Sequence, residues 1–100
     1  MDISRPATHY SRLVCIASLN NHIAVLQVLA SHGVNLNQTN RDGITAAWMA
    51  AYNGHVEVLH FLLEMGADIN LPNNDGETPA DIAARNGHLK VLKLFYKNHH

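Results

Sequence analysis

The chain is predicted to be mainly α, folding as a short solenoid of repeated helical units. Three observations carry that reading. Shifted by 33 residues the sequence falls on itself, and from Asp42 to Leu59, 11 of 18 positions match their partners. Each copy reads as two short helices followed by an extended segment and a turn. The chain is 47% hydrophobic yet only 6% aromatic, so its apolar mass is mostly Ala, Val, Leu and Ile, as thin layers of small helices require. Repeats are sought first because a missed period misreads the whole fold.

The elements follow in order within each unit. Thr45 and Thr78 can cap a helix N-terminus through their hydroxyls, and Pro79 suits a first turn, where no amide partner is lost. The first helix of the middle copy spans about Ala46 to Asn53, with small side chains that let neighbouring helices approach. Gly54 and Gly87 supply the positive φ that stops it. Asn21 stands there in the first copy, and Asn tolerates that region best after Gly. A second helix runs roughly from Val56 to Met65, with Val58, Leu59, Phe61 and Leu62 on a wide apolar face. Gly66 ends it, and Ala67-Asp68-Ile69-Asn70 leads in extended form to a turn at Asn74-Asp75-Gly76. The weaker upstream copy aligns Ile16-Ala17, Asn21-His22, Val25-Leu26, Leu29 and Gly33 with Met49-Ala50, Gly54-His55, Val58-Leu59, Leu62 and Gly66.

Asp-Gly-x-Thr-Pro, Ala-Ala, Gly-His, Leu-Leu and Gly-Ala-Asp-Ile-Asn, recurring in one register, resemble the ankyrin repeat. The resemblance covers essentially the whole chain. Repeat one, divergent, takes residues 7–39; repeat two takes 40–72; repeat three, a C-terminal cap, takes 73–100. It implies stacked antiparallel helix pairs joined by β-hairpin-like finger loops that form a concave surface. Residues 1–6 read as the remnant of a preceding finger, because Asp2-Ile3-Ser4-Arg5-Pro6 lies 66 residues before the similar Asp68-Ile69-Asn70-Leu71-Pro72. Either the chain is cut from a longer array, the preferred reading, or it opens with a degenerate half-hairpin. The family's Thr-Pro-Leu-His is altered throughout, to Arg12-Leu13-Val14-Cys15, Thr45-Ala46-Ala47-Trp48 and Thr78-Pro79-Ala80-Asp81. Tyr10 replaces the turn glycine held by Gly43 and Gly76, so the first hairpin is expected to be irregular.

Composition excludes several function classes. A net charge of -1 argues against a broad electrostatic grip on nucleic acid or anionic membrane. Apolar runs fall short of a membrane span, and no signal-peptide pattern opens the chain. One cysteine excludes an internal disulfide and a multi-cysteine zinc site. Eight histidines invite a metal reading, but His22, His55 and His88 recur once per repeat. Neighbouring packed helices lie about 8–10 Å apart, too far for these rings to share one zinc. Each imidazole is instead expected to bond backbone in its own or the next repeat. His99 and His100 are either native or the stub of a tag.

Catalysis finds no foothold. Cys15 falls on the buried side of its helix, with His22 beyond that helix's end, and no phosphate-cradling glycine loop appears. Asp81 reads as a structural acceptor. Asn37 matches a glycosylation sequon, but it holds the loop place of Asn70. Lys90, Lys93 and Lys97 form a stripe on the last helix, read as a solvated cap. No catalytic, cofactor or metal residue is assigned, and the chain is read as no enzyme.

Positions that vary between copies while the framework stays constant carry either solvent or function. These are Ser11, Ile44 and Glu77 after the turn; Thr8, Arg41 and Asn74 at the fingertips; and Leu19, Tyr52 and Arg85 near the end of the first helix. The resemblance places them on the concave side. Trp48 and Tyr52, one helical turn apart, can form an aromatic step with Ile44 at its edge, although Trp48 reads equally well as core. The expected partner-binding residues are Arg41, Ile44, Trp48, Tyr52, Asn74, Glu77 and Arg85. The expected function is a scaffold or adaptor that binds a protein partner; the alternative is a targeting arm of an enzyme or effector whose catalytic domain lies elsewhere. A monomer is expected, intracellular and cytoplasmic, or in host cytoplasm for a bacterial effector.

Overall fold

The structure, a computed structural model, describes residues 10–97. The proposed finger remnant, Thr8, His9, His99 and His100 lie outside them. Six helices follow in pairs: α1 (Ser11–Leu19) with α2 (Ile23–Ser31), α3 (Ala46–Asn53) with α4 (Val56–Glu64), and α5 (Pro79–Arg85) with α6 (Leu89–Lys97). The first helices of the pairs form an inner row, α1–α3–α5, packed more closely than the outer row α2–α4–α6. Alanine explains the difference. Ala46, Ala47, Ala50, Ala51 and Ala83 are buried between inner helices, where a larger side chain would hold the backbones apart.

Local chemistry sets the helix ends. Thr45 accepts the Trp48 amide at 3.1 Å, and Thr78 accepts that of Asp81 at 3.1 Å while Asp81 accepts the Thr78 amide at 3.0 Å, a reciprocal capping box. Gly54 closes α3 at φ 74, and Asn21 takes the same left-handed region at φ 59. Helix α4 ends at Glu64, with Met65 as its cap, one residue before the expected end. Tyr10, in the register place of Gly43 (φ 75) and Gly76 (φ 80), has φ -108 and leads directly into α1. A side chain there blocks the left-handed turn that the glycines make.

The outer helices bury Leu26, Leu29, Val58, Leu59, Leu62 and Val91, all fully enclosed. Below them Leu36 and Ile69 anchor the connecting segments in the same core. The fingers contain no strand among the described residues, yet they close like hairpins. The Asn40 amide donates to Ile44 O at 3.1 Å, and the Asn73 amide donates to Glu77 O at 2.8 Å.

Candidate binding surface

Two seams hold the repeats in register, and both rest on residues one period apart. At the first, Asn53 Nδ2 and His55 Nε2 both meet Leu19 O at 2.8 Å. At the second, Asn86 Nδ2 and His88 Nε2 meet Tyr52 O at 3.1 and 2.8 Å. The acceptor is a carbonyl in the last turn of the preceding inner helix, one of the groups a helix leaves unbonded. The histidines therefore reach back to the preceding repeat, not to their own or the next one as expected. Stacking is what brings that open carbonyl within reach. Gly54 makes room, since a Cβ on it would stand 2.7 Å from the His88 ring.

The fingers are locked to one another as well. Asn40 Oδ1 accepts the amides of Asp42 and Ile44, both at 2.9 Å, and Asn73 Oδ1 accepts those of Asp75 and Glu77 at 3.0 and 2.9 Å. Between fingers, Asn74 donates its side-chain amide to Arg41 O at 2.8 Å and its backbone amide to Asp42 O at 2.9 Å. A Cβ on Gly43 would come within 2.9 Å of the Asn74 backbone nitrogen. Asn37 Oδ1 accepts the Asp68 amide at 2.8 Å, so the sequon asparagine ties two loops.

On this frame the expected binding residues fall into two groups. Tyr52, Trp48, Glu77 and Arg85 form one connected chain. The Tyr52 ring, 45% exposed, stacks on Trp48 with centroids 5.6 Å apart and planes at 21°. Trp48 is only 7% exposed and donates its indole N–H to Glu77 O at 3.2 Å. The Glu77 carboxylate pairs with the guanidinium of Arg85. Trp48 thus belongs to the core and props Tyr52 from beneath. Arg41 and Asn74, both exposed, form the second group at the fingertips. Ile44 lies half-buried between the groups, its carbonyl turned to Cys15 Sγ at 3.7 Å.

Residues considered for catalysis hold structural places. Burial pushes the Cys15 thiol above its ordinary pKa, which disfavours the thiolate a nucleophile needs. Asp81 is exposed, and the Thr78 backbone N–H, then its hydroxyl, hold its carboxyl below the usual range. Among the described residues no group of three or more His, Cys, Asp or Glu is placed to hold a metal ion, and no helix is long and apolar enough to cross a membrane. The paired asparagines escaped attention in the sequence. Asn53/Asn86 and Asn40/Asn73 each recur one period apart, and that recurrence is the signal that could have identified them as clamps.

Helix pairs latched through backbone carbonyls, with an exposed aromatic step and no catalytic constellation among the described residues, define a helical repeat protein. The chain belongs to the ankyrin-repeat family: the family model for ankyrin repeats, in three copies, matches residues 14–100. Members generally serve as protein–protein interaction modules and are typically non-catalytic. Comparison with curated proteins found no match.

Proposed function

We propose that this chain is a scaffold or adaptor module that engages a protein partner across its inner-helix and fingertip surface, without catalysing a reaction. The observation that carries this is Tyr52. An aromatic ring kept 45% exposed, at a position that varies among the repeats, gains nothing for the core, and its seat on Trp48 makes it rigid before contact. Rigid aromatic anchors beside arginines make strong interface contacts because little side-chain freedom is lost on binding. Arg85, held by Glu77, and Arg41, exposed at its fingertip, are the charged members of the proposed surface.

The test is quantitative affinity capture with the wild type and the Tyr52→Ala/Arg41→Ala variant as baits. Proteins retained by the wild type should be depleted at least tenfold on the variant, while the circular dichroism spectra coincide. Retention of the same proteins by both baits would refute the site.

A further inference from the structure

Of the eleven asparagines in the chain, only Asn53 and Asn86 are followed by glycine. In an Asn-Gly pair the side-chain amide is at its least stable, because no Cβ on the next residue shields its backbone nitrogen from the asparagine Cγ. These are also the two asparagines that clamp a repeat to the one before it. Asn53 donates through Nδ2 to Leu19 O at 2.8 Å, and Asn86 to Tyr52 O at 3.1 Å. Both residues are exposed, so water reaches them. The first copy lacks the pair: Asn20 precedes Asn21, and its Nδ2 bonds Ile16 O of its own helix.

The chemistry such a pair permits is a ring closure. The Gly54 nitrogen, having given its proton to hydroxide, attacks Asn53 Cγ. A C–N bond forms and the Cγ–Nδ2 bond breaks. The side-chain nitrogen takes a proton from water, leaves as ammonia and regenerates the hydroxide. Water then opens the succinimide at either carbonyl, leaving aspartate or isoaspartate. An amide and a water become a carboxylic acid and ammonia, with nothing oxidised or reduced. Asp42-Gly43 and Asp75-Gly76 can close the same ring, but they lose water and regain it, so neither charge nor composition changes.

The stack works against that closure. The clamp turns the Asn53 amide toward the preceding repeat, while the Gly54 N–H donates to Ala51 O at 3.3 Å and the His55 N–H to Ala50 O at 2.8 Å. The second site repeats the arrangement: the Gly87 N–H donates to Ala84 O at 3.1 Å and the His88 N–H to Ala83 O at 2.9 Å. Closure needs the glycine nitrogen freed and the side chain swung back onto it, so it awaits local opening of the joint and the helix end. Once formed, the carboxylate cannot return to the clamp. It accepts hydrogen bonds and donates none. It would also face a carbonyl in the last turn of a helix, where the backbone already carries partial negative charge. Isoaspartate further routes the main chain through Cβ, adding a carbon just before a glycine held at φ 74 or 75.

We propose that Asn53-Gly54 and Asn86-Gly87 are deamidation sites guarded by repeat stacking, and that reaction at either one removes its clamp permanently. Opening of a joint, otherwise reversible, is thereby recorded as a lasting negative charge at that joint. Nothing in this chemistry depends on Tyr52 binding a partner.

Peptide mapping by mass spectrometry tests this on the full chain, aged at mildly alkaline pH both folded and in urea. In urea Asn53 and Asn86 should deamidate faster than every other asparagine. In the folded chain both should react at least about tenfold more slowly than in urea, as a site that reacts only on opening requires. His55→Ala, which removes the second donor to Leu19 O, should speed Asn53 in the folded chain and leave its rate in urea unchanged. The deamidated wild type, separated by ion exchange, and the Asn53→Asp and Asn86→Asp variants should each melt about 4–8 °C below the unreacted chain, as loss of one hydrogen bond implies at this size. Equal rates folded and in urea, or a folded Asn53 rate unmoved by His55→Ala, would overturn the guarding. An unshifted melt of the deamidated chain would overturn the release of the clamp.

Discussion

The two joints between repeats share the Asn and His clamps and differ in the donor at one inner-helix position. Register position 15/48/81 is Cys15, then Trp48, then Asp81. At the first joint Cys15 offers a weak S–H to Ile44 O at 3.7 Å; at the second, Trp48 offers an indole N–H to the equivalent carbonyl, Glu77 O, at 3.2 Å. In repeat three, Asp81 turns back to cap its own helix. The Asn and His clamps, by contrast, repeat with the same acceptor. The lesson is that the seam tolerates a change of donor at this one place because the clamps carry the register. The freed position then shapes the surface, since only at the second joint does its ring support an exposed Tyr52.

The largest test of that contrast is Gly54→Ala. It strains a φ of 74 and drives the new Cβ into His88, loosening the second clamp. A loss of about 2 kcal/mol is expected in urea unfolding, from left-handed strain plus a weakened hydrogen bond. Gly87→Ala has nearly the same φ, 75, but nothing within 4 Å of the added carbon. It should cost only about 1 kcal/mol. Equal losses would mean that the clamp contributes nothing.

Next comes Trp48→Phe, which keeps a ring beneath Tyr52 but removes the indole donor. It should cost about 1–2 kcal/mol, and Cys15→Ala at the first joint under about 1 kcal/mol, since a thiol is the weaker donor. Ser18→Ala should act in the opposite sense. The Ser18 hydroxyl is buried without a hydrogen-bond partner among the described residues, where its register mate Ala51 has none to satisfy. Thermal unfolding should show a gain of about 1 kcal/mol.

The smallest effect is in acid. The Asp81 carboxyl titrates below its ordinary 3.8 in the folded chain, so its contribution is complete above 3.8 and is lost as pH falls through the lower folded value. The stability gap between wild type and Asp81→Asn should therefore narrow in that window. A gap that does not vary with pH would remove the charged capping box from the account.

Much of the fold was legible in the sequence because periodic constraints are printed several times over. Thr45 and Thr78 as caps, Gly54 as a stop and the Ala46–Asn53 span all follow from short-range chemistry. For the candidate surface the sequence named residues but not their connections. Nothing local tells that Trp48 will reach a carbonyl 29 residues away or that Glu77 will hold Arg85. The histidines show the same limit. Their recurrence announced a role, but the open carbonyl at the end of an inner helix becomes an available acceptor only once two units stand side by side.

That last arrangement bears on how such a chain can change. Each clamp grips a main-chain oxygen, which every residue type possesses, so the residue that supplies it is free to vary. Leu19 and Tyr52 fill the same office with unrelated side chains, and both still accept their Asn and His. Substitution at these positions can therefore change the surface without renegotiating the stack, and a duplicated unit would attach on arrival.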